Sequence, residues 1–106
     1  MEYVRRYDDQ GLVAVLISPG FGAGWSTWGD VEQREAMLFD SRLVDYVLSH
    51  GAEGLGEYAE SLGYTGYTGG AEDVRIEWLE PGVRFYVDEY DGSESLRTFD
   101  DLCYTA

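Results

Sequence analysis

The sequence predicts an α+β fold: a four-stranded, or with a leading strand five-stranded, mostly antiparallel sheet with two helices on one face. Three observations carry this. Leu12–Ile17 is an apolar run without a polar residue, the pattern of a strand covered on both faces. Two later stretches repeat apolar residues at helical spacing and end at glycines. The C-terminal third alternates apolar and polar residues in three runs, separated by Pro81-Gly82 and Asp91-Gly92.

Each element has its local reason. Asp8-Asp9-Gln10-Gly11 is a turn signal that lets a short leading strand fold back onto Leu12–Ile17. Ser18-Pro19 stops the strand, and a loop follows with glycines at alternate positions, Gly20, Gly22 and Gly24, closed by Trp25 and Trp28. Asp30 is placed to cap a short helical turn reaching Met37. Asp40 or Ser41 caps the next helix, Leu43, Val44, Val47 and Leu48 form its stripe, and Gly51 ends it. His50 falls in its last turn, where a cation suits the helix dipole. The second helix spans about Glu53 to Leu62 and carries Glu53, Glu57 and Glu60 on its polar face. Tyr64-Thr65-Gly66 and Tyr67-Thr68-Gly69 repeat a triplet in a loop.

Registers follow from the turns. A two-residue turn at Asp91-Gly92 sets Tyr90 against Ser93, Glu89 against Glu94, Val87 against Leu96 and Tyr86 against Arg97. A two-residue turn at Pro81-Gly82 sets Trp78 against Phe85, Ile76 against Val87 and Arg75 against Asp88. Both registers keep apolar residues on one face, so the three runs are expected to form a meander. A right-handed crossover is expected if the first strand runs parallel to a later one.

The 106 residues suit one domain, 1–106. No apolar run is long enough for a membrane span, so the expected location is the cytoplasm. A single cysteine, Cys103, forms no internal disulfide and has no nearby histidine. Net charge is −14, from 21 acidic residues against 7 basic ones, all arginine. Such a surface repels nucleic acid and anionic membranes and attracts basic partners, although acidity also serves solubility alone.

Catalytic and cofactor patterns are missing. The glycine loop fails the dinucleotide fingerprint, because the third glycine position holds Trp25, and it has no Walker lysine. Its amides can still form an anion nest, which makes Ser18, Gly20, Gly22 and Gly24 the ligand-binding candidates. Otherwise the glycines make room for Trp25, Trp28 and Phe21 to fold back on the core. Asp88, Glu89, Asp91 and Glu94 gather at the hairpin tip. They can act as a cation site or as a solvated edge that repels other edges. No Ser/His/Asp, Cys/His or metal-ligand constellation is visible, so no enzyme activity and no cofactor are expected.

Ile17–Trp28, Met37–Leu48 and Val87–Ser95 also resemble a small uncharacterised family of phage and prophage proteins. Its members share a Ser-Pro-Gly-x-Gly-Ala-Gly-Trp loop, a Leu-Phe-Asp helix start and a Glu-Tyr-Asp-Gly hairpin. The resemblance implies a mobile-element setting in the cytoplasm of a bacterial host, and no catalytic residue. Joined to the charge, it leads to the expectation of an acidic inhibitor of a host defence complex of CRISPR or restriction type. Glu53, Glu57, Glu60, Asp88, Glu89, Asp91 and Glu94 would imitate phosphates, with Trp25, Trp28 and Tyr67 as aromatic anchors. The alternative is a small-molecule or nucleotide-binding protein that uses the glycine loop.

Overall fold

A computed structural model describes residues 2–20, 24–66 and 70–98. Its centre is β1 (Val13–Ile17), which is buried along its whole length. Side chains alternate across a strand, so β1 serves two apolar clusters at once. Ala14 and Leu16 pack with the helices, against Met37, Leu43, Val44, Leu55 and Ala59. Val13, Val15 and Ile17 pack on the opposite side against Phe39, Phe85, Val87 and Leu96. Leu16 is fully buried, and truncating such a side chain to alanine costs about 2–5 kcal/mol.

The α+β class is as expected, but the sheet is not a single one of four strands. β2 (Arg75–Leu79) pairs antiparallel with β1, setting Leu16 against Ile76 and Ala14 against Trp78. β3 (Phe85–Tyr90) and β4 (Ser93–Thr98) form a separate two-stranded sheet. The expected pairs Trp78–Phe85, Ile76–Val87 and Arg75–Asp88 are therefore not formed. The reason is the two-faced apolarity of β1. Its helix face is extended by Ile76 and Trp78 through β2, and its other face is covered by the β3–β4 hairpin packing from above. A hairpin used as a cover does not pair at its edge with β2. Because β1 and β2 are antiparallel, the expected crossover handedness does not apply.

The hairpin itself has the predicted register, from Tyr90–Ser93 through Glu89–Glu94 to Val87–Leu96 and Tyr86–Arg97. Asp91 and Gly92 take φ of 51° and 86°. Two consecutive positive φ values are what a type I′ turn requires, and its twist matches that of the paired strands. The leading segment makes single bridges, Tyr7 to Val13 and Arg5 to Asp40, rather than a strand. The Asp8 side chain fixes the turn by accepting from the Leu12 amide at 2.8 Å.

Three α-helices form where two were expected. Asp30 caps a 3-10 turn (Val31–Gln33) that runs into α1 (Arg34–Phe39). Asp40 ends α1 and caps α2 (Ser41–His50), accepting from the Arg42 amide. Gly51 stops α2, with φ 74° and its amide donating to the Val47 carbonyl at 2.8 Å. α3 (Leu55–Ser61) buries Leu55 and Ala59. None of the described helices is long and apolar enough to cross a membrane.

Candidate functional site

Most of the predicted residues that the structure describes fall into two places with opposite character. The first is the glycine loop, whose two described ends are held together from within. Glu94 is 1% exposed, and its carboxylate accepts from the backbone amides of Ser18 (2.9 Å), Trp25 (2.8 Å) and Thr27 (3.0 Å). The Thr27 hydroxyl adds a fourth bond at 2.5 Å. The Glu94 amide in turn donates to the Ser18 carbonyl at 2.8 Å. The loop therefore does gather amides around an anion, and the anion is the chain's own carboxylate. A buried charge is tolerated when it is hydrogen-bonded in this way.

This placement corrects two partner-binding assignments. Glu94 is an internal clasp, and Trp25 is fully buried, its indole N–H donating to the Met37 carbonyl at 2.8 Å. Neither can meet a partner. Glu89, opposite Glu94, accepts from the Trp28 indole (2.8 Å) and the Gly92 amide (2.6 Å). The two facing glutamates thus hold different parts of one loop and do not form a shared cation site. Among the described residues no group of three or more His, Cys, Asp or Glu side chains is placed to hold a metal.

The ligand-binding alternative meets the same obstacle. Ser18 is buried, its hydroxyl donating to the Gly70 carbonyl at 2.8 Å. Gly20 lies against the Asp73 side chain. At Gly24 a Cβ would sit 2.7 Å from the Thr27 hydroxyl and 2.9 Å from the Trp28 ring. Gly24 thus allows close packing beside Trp28, and Gly20 beside Asp73. Gly22 and Tyr67 lie outside the described residues.

The second place is a cleft of about 670 Å³ between the end of α2, α3 and the turn before β2. Glu53, Glu57 and Glu60 line it together with Glu72, Tyr46 and His50, and no arginine is among the described lining residues. α3 brings Glu57 and Glu60 to one face because residues three apart are neighbours on a helix. Glu53 precedes the helix, and Gly54 at φ 79° turns the chain into it. Tyr46 forms one wall. Its ring stacks between His50 and Tyr58, 4.7 Å from each, and its hydroxyl donates to the Glu53 carbonyl at 3.0 Å. Glu72 sits in a 3-10 turn (Ala71–Asp73) far from α3 in sequence, so no local spacing announces it. Asp88 and Asp91 are exposed on the hairpin, Asp88 lying 4.0 Å from Arg97.

A third charged feature is structural. Asp40 is fully buried and accepts from Arg42 (2.7 Å) and from the Tyr64 hydroxyl (2.7 Å). Burial pushes its pKa up, but the hydrogen bonds from the Arg42 guanidinium, the Tyr64 hydroxyl and the Arg42 amide outweigh it, and the net direction is down. Tyr64 is driven up, first by burial and then by the Asp40 carboxylate that accepts its proton.

A scan against protein-family models, a search of curated proteins and a search of solved structures each returned no significant match.

Proposed function

We propose that the protein is a non-enzymatic acidic binder, and that the cleft beside α3 receives a basic surface of another protein. One observation carries the reading. In a chain of net charge −14, Glu53, Glu57, Glu60 and Glu72 line one concave surface without an arginine between them. Grouped like charges around a concave surface raise its negative potential. They speed association with a cationic partner and are relieved when it binds. Basic surfaces of this kind are most common on proteins that handle nucleic acid. Combined with the resemblance to phage and prophage proteins, the proposal extends to a nucleic-acid-binding complex of host defence in a bacterial cytoplasm. Asp88, Asp91 and Trp28 are further contact candidates. No direct nucleic-acid or membrane binding is proposed, since both carry negative charge.

The test is capture from bacterial lysate containing a known defence complex, eluted by rising salt. The wild type is compared with a variant carrying Glu53→Gln, Glu57→Gln and Glu60→Gln. A basic complex that elutes as salt rises, that the variant does not retain, and whose DNA binding the wild type blocks would support the proposal. Equal retention by both proteins would remove the cleft from it.

A further inference from the structure

We infer that the basic partner supplies an extended segment that adds as a strand along the outer edge of β3; this rests on the preceding reading of the protein as a binder of basic proteins. The argument starts from backbone direction. The Glu94 amide donates away from β3, to Ser18, so Glu89 and Glu94 form a non-hydrogen-bonded pair. Pairing alternates along an antiparallel ladder. The N–H and C=O groups of Phe85, Val87 and Glu89 therefore point away from β4. Among the described residues, no backbone or side-chain group takes them, whereas the outer edge of β4 is engaged at Ser18. β3 runs six residues in register without a bulge or a proline.

An open edge of this kind is a template for strand addition unless something guards it. Toward the turn the guard is negative charge, from the exposed Asp88 and Asp91, while Arg84 stands at the other end of the edge. Because each chain carries a net charge of −14, the edge favours a cationic segment over a second copy.

Side chains of an added strand alternate between two environments. At the start of β3 lies a groove of about 400 Å³ lined by Phe39, Leu79, Val83 and Phe85, with Arg5 and Arg84 also contributing. On the outer face Tyr86 and Tyr90, 37% and 79% exposed, flank Asp88. Arginine stacks on tyrosine and pairs with carboxylate, so this row suits arginine, in competition with Arg97. The segment that fits alternates apolar residues with arginine. Its basic residues lie toward Asp88 and Asp91, and an apolar residue lies at the Phe85 end.

The probe is a short blocked peptide of alternating valine and arginine, titrated at low salt into the full ¹⁵N-labelled chain. Strand addition predicts shifted amide signals and slowed hydrogen exchange at Phe85, Val87 and Glu89. It also predicts that two peptides N-methylated at alternate positions behave differently. The one whose edge-facing amides are blocked loses about tenfold or more in affinity, and the other changes less than about twofold. Perturbation confined to Glu53, Glu57 and Glu60, or equal affinity of the two methylated peptides, would overturn strand addition and leave the acidic-cleft reading standing. Absence of binding by the unmethylated peptide would count against both.

Discussion

Glu94 illustrates how one side chain can organise a loop from a distance. It sits 76 residues from Ser18 and 69 from Trp25, yet it accepts from both amides. Removing it strands three buried or half-buried backbone donors and a hydroxyl, each of which costs roughly 1–3 kcal/mol if left unmet. Glu94→Ala should lower the unfolding free energy by about 3–5 kcal/mol in urea titrations. Trp25 emission should shift to the red as the loop opens. Glu94→Gln keeps the shape but turns an NH2 group toward donors, and a loss of about 2 kcal/mol is expected. A surface contact residue would leave urea stability unchanged in both variants. Asp40 sets a pH dependence whose sign can be worked out. Its folded-state pKa lies below the unfolded value, so the unfolded chain binds the proton more readily. The stability it provides is present above the ordinary carboxyl value of 3.8 and is lost as pH falls through the folded value. Tyr64 is shifted the other way, so its contribution is present below the ordinary tyrosine value of 10.0 and is lost as pH rises beyond it. Urea midpoints of wild type and Asp40→Asn should therefore converge at acid pH and separate above it. An unchanged gap across that window would show that Asp40 provides no pH-linked stability.

At the scale of elements, the glycine loop is a packing device, and Gly24→Ala tests it. The added Cβ meets the Thr27 hydroxyl at 2.7 Å and the Trp28 ring at 2.9 Å, in a buried position. Overpacking of this kind costs about 1–3 kcal/mol. The expected result is a lower thermal midpoint with no gain or loss of nucleotide binding. A ligand-binding loop would instead lose its ligand. The elements differ in how far the sequence announces them. Asp91-Gly92 fixes the β3–β4 register because the turn itself dictates the pairs beside it. Asp30, Asp40 and Gly51 mark helix ends for the same local reason. The partner of β2 was not legible. Ile76 and Trp78 show a strand with one apolar face, but that pattern is satisfied equally by Phe85 and Val87 or by Leu16 and Ala14. The choice is made by burial of both faces of β1, a property of the assembled molecule. Glu89 and Glu94 read as a repelling pair in the hairpin register. Only the docking of Ser18 and of Trp25–Trp28 against the hairpin gives each glutamate its own donors. In the cleft, the α3 spacing brings Glu57 and Glu60 together, while Glu72 arrives through the tertiary fold.

At the scale of the whole molecule, charge separates what stabilises the chain from what it is proposed to bind. The net charge of −14 produces self-repulsion that salt screens, with a Debye length of about 10 Å at 0.1 M. The thermal midpoint should therefore rise with added sodium chloride. The acidic cleft concentrates this repulsion, and its carboxylates are not engaged as those of Glu94 and Asp40 are. Two triple variants resolve the consequence. One carries Glu53→Gln, Glu57→Gln and Glu60→Gln. The other carries Glu2→Gln, Asp9→Asn and Glu32→Gln, exposed positions outside the described lining of the cleft and of the groove at β3. Both make the same change in net charge. If the cleft is a binding surface whose charges are held close at a cost in stability, its variant gains more at low salt, by a few degrees in thermal midpoint. That gain should shrink as salt rises, and the same variant should lose basic partners that the control still retains. Equal gains and equal retention would mean that the acids act only through their sum, as a solubilising coat spread over the surface.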